Sequence, residues 1–441
     1  MQRRLFLRSG SASAVAAALT ACGGGGGGTA QGDLLSGVAV QPDSASAAAA
    51  RRPLAGPEAY PFGARLDPYV AGIRPGTASP EQMDAVVRAS YDAWKARALV
   101  DMPGVPGGKV VRSHGRTPPS AITLSEGMGY AMLMTVVMAG HDPEARAVFD
   151  GLLTTVRARP AWALPGTPGR HLMEWRLSAA GTSAGDGWNA IDGDLDIAMA
   201  LLMADRQWGS DGRWNYRQEA LDTIAAVAAC NMKPDGTTQG LAAAHVSRTS
   251  DYRVTHFRAF RRATGDALWD RAIDRAYSLV DRMQTVFSPE CGLVPDFIIN
   301  TDGADPTPSP GGWGDFVDTE GFYFANAQRN PWRWGSDFVT SGDARWQSVC
   351  SRLVAFMERA TGGNPAAMAV GYRLDGSPMG NAWVPRGMVG PMLCGAMVDA
   401  AHQDFLDALW TWNTRNFTTD YYDCELQLIP LIVASGNWWN P

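Results

Sequence analysis

The stretch Asn189-Ala190-Ile191-Asp192-Gly193-Asp194-Leu195-Asp196-Ile197-Ala198 sets three carboxylates at every second position, at the head of an apolar run. Like charges that close repel one another. A folded chain keeps such a cluster where a cation, a helix start or a polyhydroxylated ligand uses it. The alternation matches the opening of a calcium loop. However, the sixth position, which needs glycine for the turn, is Ile197, and the twelfth, which needs Glu, is Met203. No metal or cofactor is therefore expected. Asp is favoured in a first helical turn by free N–H groups and the macrodipole, so one of the three is expected to cap a helix. A carboxylate that accepts hydrogen bonds from ring hydroxyls is the third reading.

Outward from this cluster, helical periodicity dominates. Glu81 to Val100 places Met83, Val86, Val87, Tyr91 and Trp94 at helical spacing. Similar patterns cover 126–140, 144–157, 192–206, 215–230, 251–264 and 267–285. Others follow at 331–341, 343–360, 387–398, 402–415 and 422–435. Strand-like alternation is scarce, and no sequence motif repeats. About a dozen helices in one large domain predict an all-α toroid or bundle, and helix counting alone does not choose between them.

A second constellation is Thr123-Leu124-Ser125-Glu126-Gly127-Met128-Gly129-Tyr130. Glu126 heads an apolar helix, where it is either a first-turn carboxylate or a partly buried general acid with a raised pKa. The chain has 16 Trp. Trp94 and Trp269 read as core. Trp175, Trp188, Trp313, Trp332 and Trp334 fall in loops or at helix ends, where indole faces suit sugar rings.

Taken together, these segments resemble glycoside hydrolase family 8. Ser125-Glu126-Gly127 looks like the family's acid motif. Asp192 to Ala198, running on to Gln207-Trp208-Gly209, looks like its signature. Thr249-Ser250-Asp251-Tyr252, Arg329-Asn330-Pro331-Trp332-Arg333 and Ser435-Gly436-Asn437-Trp438-Trp439 follow in the family's order. The resemblance implies an (α/α)6 barrel. It also implies endo-hydrolysis of β-1,4-linked glucan or chitosan with inversion at the anomeric carbon. By it, Glu126 is the proton donor, and Asp192 holds hydroxyls of the distorted sugar. Asp194 and Asp196 shape the helix, and Arg329 orients the base or the water.

The chain departs from the family pattern at two places. Ile191 stands where a small residue is more usual. Asn326 stands three residues before Arg329, where many members carry the catalytic-base Asp. An amide accepts no proton from water at neutral pH, yet inversion needs a base about 6.5–9.5 Å from the acid. A branch of the family shares this Asn and carries its base as a Glu in the preceding loop. Here that loop reads Asp315-Phe316-Val317-Asp318-Thr319-Glu320. Motif position favours Asp318, then Glu320, with Asp315 third. Asn326 is expected to bind the water or a hydroxyl. Tyr323, Trp175, Trp188, Trp332 and Asp251 are candidate cleft residues, each with a packing alternative. His171 and His256 read as structural.

The ends and the charge bound the rest. Residues 1–22 read as an export signal, with Arg3-Arg4 as a twin-arginine pair and Leu19-Thr20-Ala21-Cys22 as a lipobox that makes Cys22 a lipidation site. A Gly/Ala/Ser-rich tether covers 23–56, and the catalytic domain spans 57–441. A bacterial lipoprotein is expected, touching membrane only through its anchor. Net charge is −6, which argues against nucleic acid as a partner. The expected partner is a polysaccharide, and a monomer is expected. Cys230, Cys291, Cys350, Cys394 and Cys424 form no CxxC pair. Their odd count leaves at least one thiol free or bridged to another chain. The primary expectation is an endo-β-1,4-glucanase acting on cellulose-like or mixed-linkage glucan. A chitosanase on the same scaffold is the alternative, and a non-catalytic glycan-binding lipoprotein is the rival from another class.

Overall fold

The computed structural model describes residues 58–113, 121–164, 166–239, 245–313 and 317–441. The signal, the tether, Cys22 and Asp315 lie outside the described residues. Among those described, twelve α-helices carry the fold: α1 (Pro80–Ala98), α2 (Ser125–Val137), α3 (Ala145–Ala158), α4 (Ile191–Trp208), α5 (Tyr216–Asn231), α6 (Val254–Thr264), α7 (Leu268–Arg282), α8 (Asn330–Ser341), α9 (Ala344–Thr361), α10 (Arg386–Ala396), α11 (Gln403–Arg415) and α12 (Asp423–Ala434).

Their contacts give the architecture. Helix α2 touches α4, α4 touches α6, α6 touches α8, α8 touches α10, α10 touches α12, and α12 returns to α2. Each also packs against an odd-numbered helix: α2 on α3, α4 on α5, α6 on α7, α8 on α9 and α10 on α11, each the next in sequence, while α12 packs on α1 from the other end of the chain. The result is an inner ring of six helices inside an outer ring of six, the (α/α)6 arrangement. Sequence character separates the rings. In α12 every residue is buried, and in α2 every residue but Glu126. Apolar residues on all sides are what a helix enclosed by neighbours requires. Outer helices show one apolar stripe. On α7 it is Leu268, Trp269, Ala272, Ile273, Ala276, Leu279 and Val280.

The boundaries have local causes. Ser79 and Gln82 form a capping box that starts α1, and extended Leu99 ends it. The expected 251–264 helix begins instead at Val254, because Thr249–Asp251 forms a 3-10 turn. A π-helical turn, Met283–Phe287, prolongs α7.

Short strands lead into the inner helices. Strand β3 (Ala121–Leu124) runs directly into α2 and pairs antiparallel with β4 (Arg176–Ser178), matching Leu124 with Arg176. Strand β5 (Val246–Arg248) enters the turn before α6 and pairs with β6 (Phe297–Ile299), which pairs with β7 (Thr307–Pro308). Leu99–Asp101 and Lys109–Val111, β1 and β2, form a separate hairpin. All five described cysteines are free thiols, four of them buried. No described helix is long and apolar enough to cross a membrane.

Candidate active site

Side chains from the N-terminal ends of the inner helices meet at one end of the ring. Glu126 comes from the first turn of α2, Asp192 from the first turn of α4, and Arg329 from the turn just before α8. Tyr421 precedes α12. Strand pairing sets the first of these. The Ser125 N–H donates to the Trp175 carbonyl at 2.9 Å, which continues the β3–β4 ladder to the residue before Glu126.

Arg329 is buried and joins the two carboxylates. Its Nη1 pairs with Glu126 Oε1 and lies 3.1 Å from Asp192 Oδ2. Glu126 also accepts from the Tyr421 hydroxyl at 2.9 Å and from the Tyr130 hydroxyl at 3.3 Å. Asp192 accepts from the Gly193 N–H at 3.0 Å and pairs with Arg248 at 2.9 Å. The two carboxyls are biased in opposite directions. Burial pushes Glu126 above its ordinary value, with Arg329 pulling against it and the Asp192 charge reinforcing it. Burial opposes ionisation of Asp192 too, but Arg248 and Arg329 outweigh it and hold Asp192 well below the carboxylate range. Neighbouring carboxyls driven apart in this way give one proton donor and one fixed anion.

The other two aspartates of the opening stretch have separate partners. Asp194 accepts from the Met173 N–H and the Asn189 amide at 2.9 and 2.8 Å. Asp196 pairs with Arg253 and lies 2.8 Å from His256 Nε2. The cap position of α4 is Ala190, which has no side-chain cap. Asp192 instead serves a first-turn N–H, that of Gly193, from inside the helix, and Asp194 and Asp196 tie α4 to neighbouring segments. His256 is buried on α6, whereas His171 is half-buried and 3.9 Å from Asp222.

Asn326 is occupied on both sides. Its Oδ1 accepts from Arg329 Nη2 at 2.7 Å, and its Nδ2 donates to Asp296 at 3.3 Å. It holds Arg329 in place. Asp296, which the sequence did not single out, also accepts from the backbone N–H groups of Phe324, Asn326 and Ala327. Asp251 is fully buried beside Arg248 at 3.0 Å. Burial raises its carboxyl, against the pull of Arg248.

The loop candidates separate by burial. Glu320 is fully buried and accepts from the Ser309 hydroxyl at 2.7 Å and the Trp313 N–H at 2.8 Å. Asp318 is exposed. Of the aromatic candidates, Trp188 is 47% exposed. Trp175 is half-buried, with the Arg176 guanidinium 4.6 Å from its ring. Tyr323 is fully buried, and its backbone pairs with Tyr372. Trp332 is packed between Arg333 and Tyr130.

Tyr421 and Arg248 were missed from sequence. Tyr421 lies 295 residues from Glu126, and only the Tyr421-Tyr422 pair ahead of an apolar helix marks it. Arg248 sits one residue before a quoted motif and carries no pattern of its own.

Known proteins place this geometry. Residues 85–311 match the model for Glycosyl hydrolases family 8. A β-glucanase of Niallia circulans is 32% identical over 382 residues, covering 84% of this chain and 90% of that protein. An endoglucanase of Bacillus sp. (strain KSM-330) is 32% identical over 396 residues, covering 87% and 82%. The apo structure of a β-1,3-1,4-glucanase from Paenibacillus sp. X4 superposes with a TM-score of 0.79 at 30% identity, covering 86% of this chain and 99% of that one. Ring architecture, family model and sequence relatives agree, and the chain belongs to glycosyl hydrolase family 8.

Proposed function

We propose that this glycoside hydrolase is an endo-acting β-glucanase that cleaves internal β-1,4 bonds, including those of mixed-linkage glucan, by inversion. The observation that carries the reading is the Glu126–Arg329–Asp192 group at the mouth of the inner ring. Glu126, biased towards its protonated form, protonates the leaving glycosidic oxygen. Asp192, held as an anion, accepts hydroxyl hydrogen bonds from the sugar beside the scissile bond and offsets charge in the oxocarbenium-like transition state. The names of the relatives support glucan as the substrate.

Inversion needs a second carboxylate to take a proton from the attacking water. Asn326 cannot serve, and its amide is engaged by Asp296 and Arg329. Glu320 is sealed from solvent behind Ser309 and Trp313. Asp318, exposed in the same loop, is our choice for the base. A short Asp must come closer to the water than a Glu, and a loop position allows that on substrate closure.

Reducing-sugar release from lichenan, carboxymethylcellulose and chitosan by wild type, Asp318→Asn and Glu320→Gln tests both levels. The expected result is release from lichenan by wild type and a fall of about 10²–10⁴-fold in kcat for Asp318→Asn. Glu320→Gln should lose stability more than turnover per folded molecule. No release from any glucan overturns the substrate reading. Full activity of Asp318→Asn overturns the base assignment.

A further inference from the structure

Two of the most exposed tryptophans stand close together. Trp162 is 64% exposed and Trp188 is 47% exposed. Exposed apolar side chains this large mark interaction sites when they cluster on a soluble domain. Both lie between α3 and α4, where three segments run side by side. The Ala161 N–H donates to the Leu172 carbonyl at 2.8 Å, and the Ala163 N–H donates to the Gly187 carbonyl at 3.0 Å. The Trp175 N–H donates to the Trp188 carbonyl at 2.9 Å. The Ser125 N–H then donates to the Trp175 carbonyl. A path of backbone hydrogen bonds therefore runs from the residue before Glu126, through Trp175, to Trp188 and on to Trp162.

The Trp162 ring is seated on backbone. A Cβ at Gly187 would lie 2.2 Å from its Cε2 and 2.4 Å from its Cδ2, and Gly187 has φ +82°. Glycine at 187 both permits the turn and lets the indole lie against the chain. One part of the ring is packed while most of its surface stays in solvent. A ring held this way loses little freedom when a ligand stacks on it.

We propose that Trp162, with Trp188 beside it, forms a distal stacking platform for a pyranose ring of a β-glucan chain that extends beyond the Glu126 site. A glucan chain is the occupant because the segments that carry both tryptophans are hydrogen-bonded, through Trp175, to the segment that carries Glu126. The class of ligand is a neutral β-linked glucan several sugars long. The exposed carboxylate of Asp186, between the platform and Trp175 in sequence, is available to accept from equatorial hydroxyls. This inference rests on the β-glucanase reading and extends it to chain length.

The test compares wild type, Trp162→Ala and Trp162→Phe on mixed-linkage oligosaccharides of increasing length. Migration in native gels containing lichenan is measured alongside, with Glu126→Gln as the non-hydrolysing background. In Trp162→Ala, the ratio of kcat/KM on long over short oligosaccharides should fall about three- to tenfold, as expected for one stacked ring. The fall should lie mainly in KM, retardation by lichenan should weaken, and Trp162→Phe should recover part of both. An unchanged length dependence and unchanged retardation in Trp162→Ala overturn the platform while leaving the β-glucanase reading intact. A loss equal at all lengths also overturns it. A wild type that neither cleaves nor binds lichenan overturns the β-glucanase reading and the platform with it.

Discussion

At the residue scale, the proposed mechanism needs a proton kept on Glu126 beside an anionic Asp192. Tyr421 works against that bias. Its hydroxyl donates to Glu126 at 2.9 Å and so favours the carboxylate. Burial and the Glu126 charge push the Tyr421 phenol well up, so it remains a donor throughout the working range. Tyr421→Phe removes a stabiliser of the charged form and raises the Glu126 pKa further. An acid must be protonated to act, so activity is lost as pH rises through that pKa. The alkaline limb of kcat/KM should therefore move to higher pH, with kcat reduced about tenfold or less for the loss of one hydrogen bond. A pH–rate profile checks this, and a limb that moves downward or stays in place refutes it. Glu126, Asp192 and Arg329 are legible in the sequence because each sits in a local pattern. Tyr421 and Arg248 are not, because only the closing of the ring brings them to the carboxylates.

At the element scale, the site depends on how closely α2 and α4 approach. Gly193 faces Ser125: an added Cβ would lie 2.5 Å from its Oγ and 2.6 Å from its carbonyl carbon. Gly129 faces α4 in return, 2.7 Å from Asp196 Cβ and 2.9 Å from the Gly193 carbonyl. The glycine of the Asp192-Gly193-Asp194 signature and Gly129 after Glu126 thus form a packing seam as well as parts of motifs, whereas Gly127 faces the Tyr421 ring. Gly193→Ala should cost about 1–3 kcal/mol of stability, as overpacking does. It should also lower kcat by displacing Glu126 from Asp192. Urea denaturation and turnover measured together decide this; an unperturbed variant would show that the helices yield without cost. The helices themselves were readable from 3.6-residue periodicity in the outer ring and from apolar runs in the inner ring. The exception at 251–253 follows from a turn closed by backbone hydrogen bonds, Tyr252 to Thr249 and Arg253 to Asp251, which periodicity does not report.

At the scale of the whole molecule, several carboxyls are buried without an ion pair among the described residues. Burial pushes Asp194 and Asp296 up to about 7, against the hydrogen bonds each accepts. Glu425 is likewise pushed up to about 7, with Trp94 and Cys424 as its hydrogen-bond donors. An unfolded Asp releases its proton near pH 4. Between about 4 and 7, the folded chain keeps protons that the unfolded chain has lost, so stability from these groups falls as pH rises through that window. His256, lowered to about 4 by burial, acts in the opposite sense as it must stay neutral in the fold. Asp194→Asn isolates one contribution: it keeps an oxygen for the Met173 N–H and removes the titration. Its Tm should fall less steeply than that of wild type from pH 4.5 to 7.5, with up to about 1.4 kcal/mol per pH unit at stake. Parallel Tm profiles for the two proteins would refute the assignment.

The sequence by itself determined the helical composition and the segments that carry Glu126, Asp192 and Arg329. Those depend on periodicity and short spacing, which are local properties. Only the tertiary structure decided which partners hold each of the three clustered aspartates. It also put Asn326 to holding Arg329, buried Glu320 while leaving Asp318 exposed, and seated Trp162 on Gly187. Each of these depends on which remote segment supplies the hydrogen-bond partner or excludes the water, and that is settled by the closing of the ring.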